Sequence, residues 1–443
     1  IGVGRIPATD LSQALGFVSK VETYLGASGE SSPTAECEAG GESSIYGSWR
    51  NRIIFVTDDQ DGNNNDGWRH MSDSEIHSAR VSQEHNEYDV IKIYPDSYIQ
   101  EATPGGERYD EAEADIARKV QEGALIIDYI GHGGARGWAH ERILNTTTIR
   151  EWTNKNRLPV FMTATCELSR YDDPEVESAG EMLIFNPDGG SVGMLTTTRT
   201  VFSGGNQELN TAFFKTVLDE DSGTGQLRCL GDICKDTKNS PDVTSVTNMR
   251  NFSLLGDPAM MLAYPAYNVF FTEIPDTIRS LDLVKMRGYV GTSSGDTIEE
   301  FNGQIYPTVF DKRSELSTLD NDDVAGEFNY TMYRNVIHKG LASVVNGVFE
   351  FEFVVPRDID YTYGNGRVSC YAISENNEIK TDAHGASEAF VIGGTSSSVS
   401  IDDLGPQVSL YINDSLFIEG GVTSEDPWLY ARDAQRSCAR QGA

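Results

Sequence analysis

Two residues have the types and settings of a nucleophile and its base. His132 follows the apolar run ALIIDYI (124–130) and is flanked by Gly131, Gly133 and Gly134, while Cys166 closes the apolar run LPVFMTATC (158–166). A thiol attacks a carbonyl as its thiolate, and a neighbouring imidazole takes up the proton. The attack builds negative charge on the carbonyl oxygen, which backbone N–H groups stabilise where no side chain screens them. The N–H groups of Gly133 and Cys166 are the candidates for that oxyanion hole. Trp138, His140 and Glu141, just downstream of the histidine, are the candidates for lining a substrate cleft. A lone cysteine at a strand end is most often core, and a His-Gly-Gly stretch alone is usually a turn. The two at matching strand ends argue for chemistry more strongly than either does alone.

Other chemistries fit these residues less well. GHGG (131–134) has neither the glycine spacing of a dinucleotide loop nor a phosphate-binding lysine. His132, His140 and Cys166 lack the spacing of a zinc site, so no metal is assigned to them. His70, His77 and His85 lie in a polar stretch and are expected to be exposed. TDDQDGNNND (57–66) carries the carboxylates of a calcium loop but not the EF-hand spacing or its closing Glu. A structural Ca2+ there is the one cofactor expectation, and cysteine–histidine chemistry requires none. The six cysteines (37, 166, 229, 234, 370, 438) form no CxxC pair, so they mark neither a disulfide scaffold nor a zinc ribbon.

The elements that must position these groups are legible in the first 265 residues. RIIFVTDD (52–59), YDVIKIYP (88–95), ALIIDYI, LPVFMTATC and GSVGMLTTT (190–198) are short, β-branched and apolar on both faces, as strands covered on both sides are. Helical patterns alternate with them over 7–26, 108–123, 176–185 and 206–218. This rhythm predicts an α/β domain with a mostly parallel sheet and flanking helices, where functional groups collect at the carboxyl edge. Beyond LLGDPAMMLAYP (254–265) the pattern turns to period 2, in segments such as GVFEFEFVVP and RVSCYAISE, which predicts an immunoglobulin-like β-sandwich over 266–393. A Gly/Ser linker (393–406) leads to a strand pair in QVSLYINDSLF and a ragged end, so 394–443 reads as a linker and the start of a further β unit.

With 68 acidic against 35 basic residues the chain carries a net charge of −33, which repels phosphate backbones and argues against nucleic-acid binding. The sequence has no run of about 18 apolar residues, so it predicts no membrane-spanning helix.

A His-Gly after one strand and a Cys after the next resemble the pattern of caspase-like, clan CD, cysteine peptidases. DYIGHGGARGWAHERIL, RLPVFMTATCELSRYDDP, SAGEMLIFNPDGGSVGMLTTTRTVFS and FSLLGDPAMMLAYP are more narrowly similar to the gingipain family, and within it to its sortase branch from bacterial type IX secretion. The resemblance covers residues 1–265 and continues into the β-rich part through NGQIYPTVFDK and FEFVVPRDIDYTYGNGRVSCYA. It implies that His132 is the catalytic general acid and base and Cys166 the nucleophile. It also implies an acid in VTDDQDG that orients the histidine, for which Asp58, Asp59 and Asp61 are the alternatives. Gingipains specific for Arg or Lys carry an acidic residue in their primary pocket, and none is placed here.

The sortase branch implies cleavage of cargo proteins from their C-terminal signal domains through a thioester. Transfer to an anionic lipopolysaccharide follows, with an outer-membrane barrel protein as partner and no nucleic acid. The location implied is the extracellular face of the bacterial outer membrane, with IGVGRIP leading into the catalytic part from domains further upstream. A secreted endopeptidase that only hydrolyses, and a non-catalytic surface scaffold on the same fold, are the alternatives.

Overall fold

The computed structural model describes residues 1–26, 45–60, 66–374 and 380–396, together with the strand backbones of 408–412 and 429–433. Its chain divides into two compact units. Residues 1–26, 49–60, 66–264 and 314–333 form the first, and the remaining described residues the second.

The first unit is built on six strands: β1 (Arg52–Thr57), β2 (Asp89–Ile93), β3 (Ile126–Ile130), β4 (Val160–Ala164), β5 (Gly193–Thr197) and β6 (Phe252–Leu255), in spatial order β6-β5-β4-β3-β1-β2. All pairs are parallel except β5–β6. Side chains alternate along each strand, so both sheet faces are apolar and each needs a cover. Ile53 and Phe55 face a layer that contains Leu209, Phe213, Phe214 and Val217, while Ile54 and Val56 face one with Ala112, Ile116, Val120 and Leu183.

The helices behind those layers are α1 (Leu11–Tyr24), α2 (Arg69–Glu84), α3 (Asp110–Glu122), α4 (Ala179–Phe185) and α5 (Ser203–Val217). Asp10 caps α1 by accepting from Gln13 N–H, and a Ser178/Glu181 capping box starts α4. α3 carries Asp110, Glu111 and Glu113 in its first turn and Lys119 in its last, in accord with its dipole. α2 has no clear signal in the sequence because its buried face is His70, Met71, Ser74, His77, Ser78 and Val81. That face also corrects the expectation of exposed histidines. His77 stacks on Phe214 at 5.8 Å and meets Thr211 Oγ1 at 3.1 Å, and burial pushes its imidazole down to about 4. His85 is held against Asp219 at 2.8 Å.

One core residue of β3 is ionisable. Asp128 is fully buried, accepts from Asn210 Nδ2 at 2.8 Å and has a second oxygen without a hydrogen-bond partner; burial pushes its carboxyl up to about 8. Unfolded, the same carboxyl ionises near 3.9. Between about pH 4 and 8 the folded chain therefore holds a proton that the unfolded chain releases, and stability falls as pH rises through that window. Asp128→Asn is expected to flatten this decline and to be the more stable protein at pH 8, as read from urea midpoints at pH 5 and 8.

In the second unit Val348–Val354 buries Phe349, Phe351 and Phe353 and exposes the residues between them, the alternation of a half-buried strand. The β-rich domain expected as an immunoglobulin-like sandwich is present as a barrel- or sandwich-like region. Gly303–Phe310 pairs with Ala342–Val345 and also with Arg367–Ser374, so the eight-stranded sheet closes on itself. Near the end of the chain Val408–Ile412 pairs antiparallel with Leu429–Asp433, so its partner lies beyond QVSLYINDSLF and not within it, and the second strand runs into the end read as ragged. Most of the Gly/Ser linker and residues 434–443 lie outside the described residues.

Candidate active site

Strands β3 and β4 pair in parallel from Ile126↔Val160 to Ile130↔Ala164. His132 and Cys166 each stand two residues beyond the last pair, so both leave the same sheet edge from strands about 4.8 Å apart. Gly131 N–H donates to Ala164 O at 3.4 Å, which carries the pairing one step further. A Cβ on Gly133 would lie 2.6 Å from Thr165 Oγ1 and 2.8 Å from Gly137 O. The histidine loop thus rests directly against the residue that precedes Cys166, and only glycine fits there. Gly131 is equally confined, its missing Cβ falling 2.5 Å from that of Asp58.

His132 is about one-third exposed and is held at three points. Its backbone N–H donates to Asp58 Oδ2 at 2.7 Å, and its carbonyl accepts from Tyr129 OH at 2.6 Å. Its Nε2 lies 2.8 Å from Asp66 Oδ2, and the same oxygen is 3.3 Å from His70 Nε2. Burial pushes the Asp66 carboxyl up, but the hydrogen bonds from His132 and His70 outweigh it and hold the group well below the usual carboxylate range. Asp66 is therefore a carboxylate at neutral pH and favours the protonated form of the ring it touches.

The half-buried Cys166 has Sγ 3.5 Å from Val201 N and 3.6 Å from Val201 O. Val201 immediately precedes the cap of α5, so the sulfur lies at the N-terminal end of a 15-residue helix. The strand end is fixed by Asn206 Nδ2 donating to Ala164 O at 3.0 Å and by Thr197 Oγ1 donating to Thr165 O. Glu167, next after the cysteine, has φ +56°, a left-handed backbone that costs a non-glycine residue on the order of 1 kcal/mol.

Two of the three expected orienting acids, Asp58 and Asp59, meet partners other than the histidine ring. Asp58 holds the histidine's backbone rather than its ring. Asp59 accepts from Tyr109 OH at 2.7 Å, and Asp61 lies outside the described residues. Asp66 occupies the ring position, at the far end of the TDDQDGNNND stretch. The signal for it was the Asp66/His70 spacing of four across the first turn of a helix that the sequence hid.

Asp58, Asp59 and Glu141 form a buried group whose carboxylate oxygens lie within 4.8 Å of one another, a donor set that could hold a hard divalent cation. Burial and then mutual repulsion push Asp58 well above its usual range and Asp59 up to about 8.

Of the expected cleft residues, only His140 stays outside, its ring stacked on that of His132 at 5.7 Å. Trp138 is fully buried and stacks on Tyr129 at 4.3 Å, while Glu141 turns inward to the carboxylate group. The loop packs its own tryptophan because an indole gains more from the core than from a wet cleft.

The segment carrying Asp66 is also gripped from a distant part of the sequence. The carbonyl of Gly326, in the hairpin of Ser314–Ser317 and Asn329–Met332, accepts from Gln60 Nε2 at 2.9 Å and from Trp68 Nε1 at 2.8 Å. These donors stand on either side of Asp66 in the chain. Phe328 packs against Trp68, and Tyr330 against Tyr94.

The model of peptidase family C25 matches residues 1–263. No curated protein matches the chain. Among solved structures, that of the Arg-specific cysteine proteinase gingipain R is 15% identical over 86% of this chain and 74% of its own, with a TM-score of 0.45. Dimeric latent PorU from Porphyromonas gingivalis is 13% identical over 85% of this chain and 46% of its own, with a TM-score of 0.34.

Proposed function

The chain belongs to peptidase family C25, a family of cysteine peptidases, and from that premise we propose that it acts as a sortase-type transpeptidase on Cys166 and His132. The observation that supports this reading most is the shared register of the two strand ends, Ile130↔Ala164, from which both side chains leave. In the proposed reaction the Cys166 thiolate attacks the carbonyl carbon of a peptide bond. The oxyanion lies against the N–H groups of Gly133 and Cys166. The C–N bond then breaks, the His132 imidazolium gives its proton to the leaving amine, and the acyl group remains on sulfur as a thioester. An acceptor amine attacks the thioester, passes a proton to His132 and expels the thiolate, so one amide is exchanged for another. Asp66 orients the ring and stabilises its charged form.

The proposed substrate is a secreted cargo protein at its junction with a C-terminal signal domain. The proposed acceptor is an amine on an anionic lipopolysaccharide, and the proposed setting is the outer cell surface beside a membrane barrel protein. The test is mass spectrometry of such a cargo domain incubated with the protein and excess small amine. An amide of that amine at the new C-terminus is the expected product. A free carboxylate alone leaves a hydrolytic peptidase and overturns the transfer step; no cleavage overturns both.

Gly133→Ala is expected to lower kcat/KM on the order of 100-fold, because its methyl group forces the His132 loop away from Thr165. Turnover compared with the thermal unfolding midpoint checks this, since a loss confined to turnover separates the site from the fold.

A further inference from the structure

Beside His132 lies a cleft of about 730 Å³ whose wall includes Gly133, Gly134, Arg108, Arg136, His140 and Arg142. Its charge is opposite to that of the chain. The protein carries −33 overall, yet the single acid on this wall, Glu113, already accepts from Asn145 Nδ2 at 2.8 Å and from Thr148 Oγ1. Arg136 and Arg142 are exposed and form no ion pair among the described residues, and the half-buried Arg108 is turned onto the carbonyls of Gly105 and Glu107. The wall therefore holds three arginines against one carboxylate, and Arg136 and Arg142 have no ion-pair partner among the described residues. They sit next to the backbone that leads from the histidine.

The same wall offers a place for extended backbone. Gly133–Gly134 is an edge strand of a three-stranded sheet with Gly137–Trp138 and Leu144–Asn145. A Cβ on Gly134 would meet nothing within 4 Å. A peptide can add to such an edge through its main chain and lower alternate side chains into the adjoining hollow.

Resting on the peptidase reading, we infer that this cleft selects a peptide substrate with an acidic side chain close to the scissile bond, Arg136 and Arg142 supplying the counter-charge. A guanidinium pairs with a carboxylate through two parallel hydrogen bonds and repels a lysine or arginine side chain. A single acidic side chain is favoured over a large polyanion as the occupant. The cleft's field acts over roughly one Debye length of ~8 Å, whereas a polyanion also meets the acidic remainder of the surface. This preference is the reverse of one for basic residues, which an acidic pocket would serve.

The test is kcat/KM for a peptide series in which each position flanking the cleaved bond is varied among Asp, Glu, Ala and Lys, the Ala peptide serving as internal reference. At one position the acidic peptides are expected to exceed Ala by about tenfold or more and Lys by a larger margin. The double variant Arg136→Glu, Arg142→Glu is expected to invert the order to favour Lys. Because each protein is judged by its own ratio of rates, partial loss of folded protein leaves the reading intact. Cleavage without charge preference, cleavage favouring Lys in the unaltered protein, or an acidic preference that survives the double reversal overturns the inference and leaves the peptidase reading standing. Competition by an anionic lipopolysaccharide without any acidic preference overturns it in favour of a glycan occupant. Cleavage of no peptide in the series, with Cys166 inert to iodoacetamide, removes the peptidase reading and the inference together.

Discussion

Cys166→Ala is expected to abolish peptide cleavage, with kcat/KM falling on the order of 10⁴-fold or more while the fold is retained. The loss is large because no other thiol is available at this edge: among the described residues Cys229, Cys234 and Cys370 are the remaining free cysteines, and none stands at the ends of β3 or β4. The cost to stability is small. The sulfur is half-buried and its polar contacts are the two long ones to Val201, so truncation to Ala removes little buried surface. Turnover, thermal unfolding and labelling by a peptidyl electrophile separate the two effects. A variant that still cleaves would remove Cys166 from the mechanism, and one that is inactive because it unfolds would leave a lower melting midpoint to show it.

Asp66→Asn is expected to lower kcat/KM by up to about 10⁴-fold, the loss that follows when the acid behind a catalytic histidine becomes its amide. The amide retains the shape but not the charge. Without the anion 2.8 Å from Nε2, the imidazolium surrenders its proton more readily, so the alkaline limb of the pH profile moves to lower pH. Asp58→Asn is the contrasting variant. Burial already keeps that carboxyl well above its usual range, and Asn supplies the same oxygen to His132 N–H, so less than about tenfold in rate and no shift of the alkaline limb is expected. Equal effects from the two variants would show that ring orientation, not charge, is what Asp66 contributes. The carboxylate also affects stability. Its folded range is depressed, so its contribution is present above the ordinary carboxylate range and is lost as pH falls through and below it.

The strands and the two central residues were legible because their signals are local. A strand buried on both faces must be apolar throughout, and ALIIDYI and LPVFMTATC are, apart from Asp128 and the threonines. Where each run stops, the chain leaves the core, so His132 and Cys166 could be assigned to one edge without coordinates. α2 was not legible because four of the six residues on its buried face are histidines and serines, and hydropathy does not register that kind of burial. Asp66 was hidden with it, since its significance depends on His70 one helical turn away.

From the sequence alone, then, come the α/β layering, the change to a period-2 β domain after 265, and the pairing of one histidine with one cysteine at a strand edge. These follow from side-chain periodicity, which every short segment carries by itself. Tertiary structure alone decided which of several neighbouring acids meets the histidine ring, that Trp138 and Glu141 turn inward, and that three arginines share one cleft. It also decided that Gly326, some 260 residues further along the chain, holds Gln60 and Trp68 on either side of Asp66. Each of these depends on the angle at which a loop returns to the sheet. That angle is set by contacts between segments far apart in sequence, which no local pattern records.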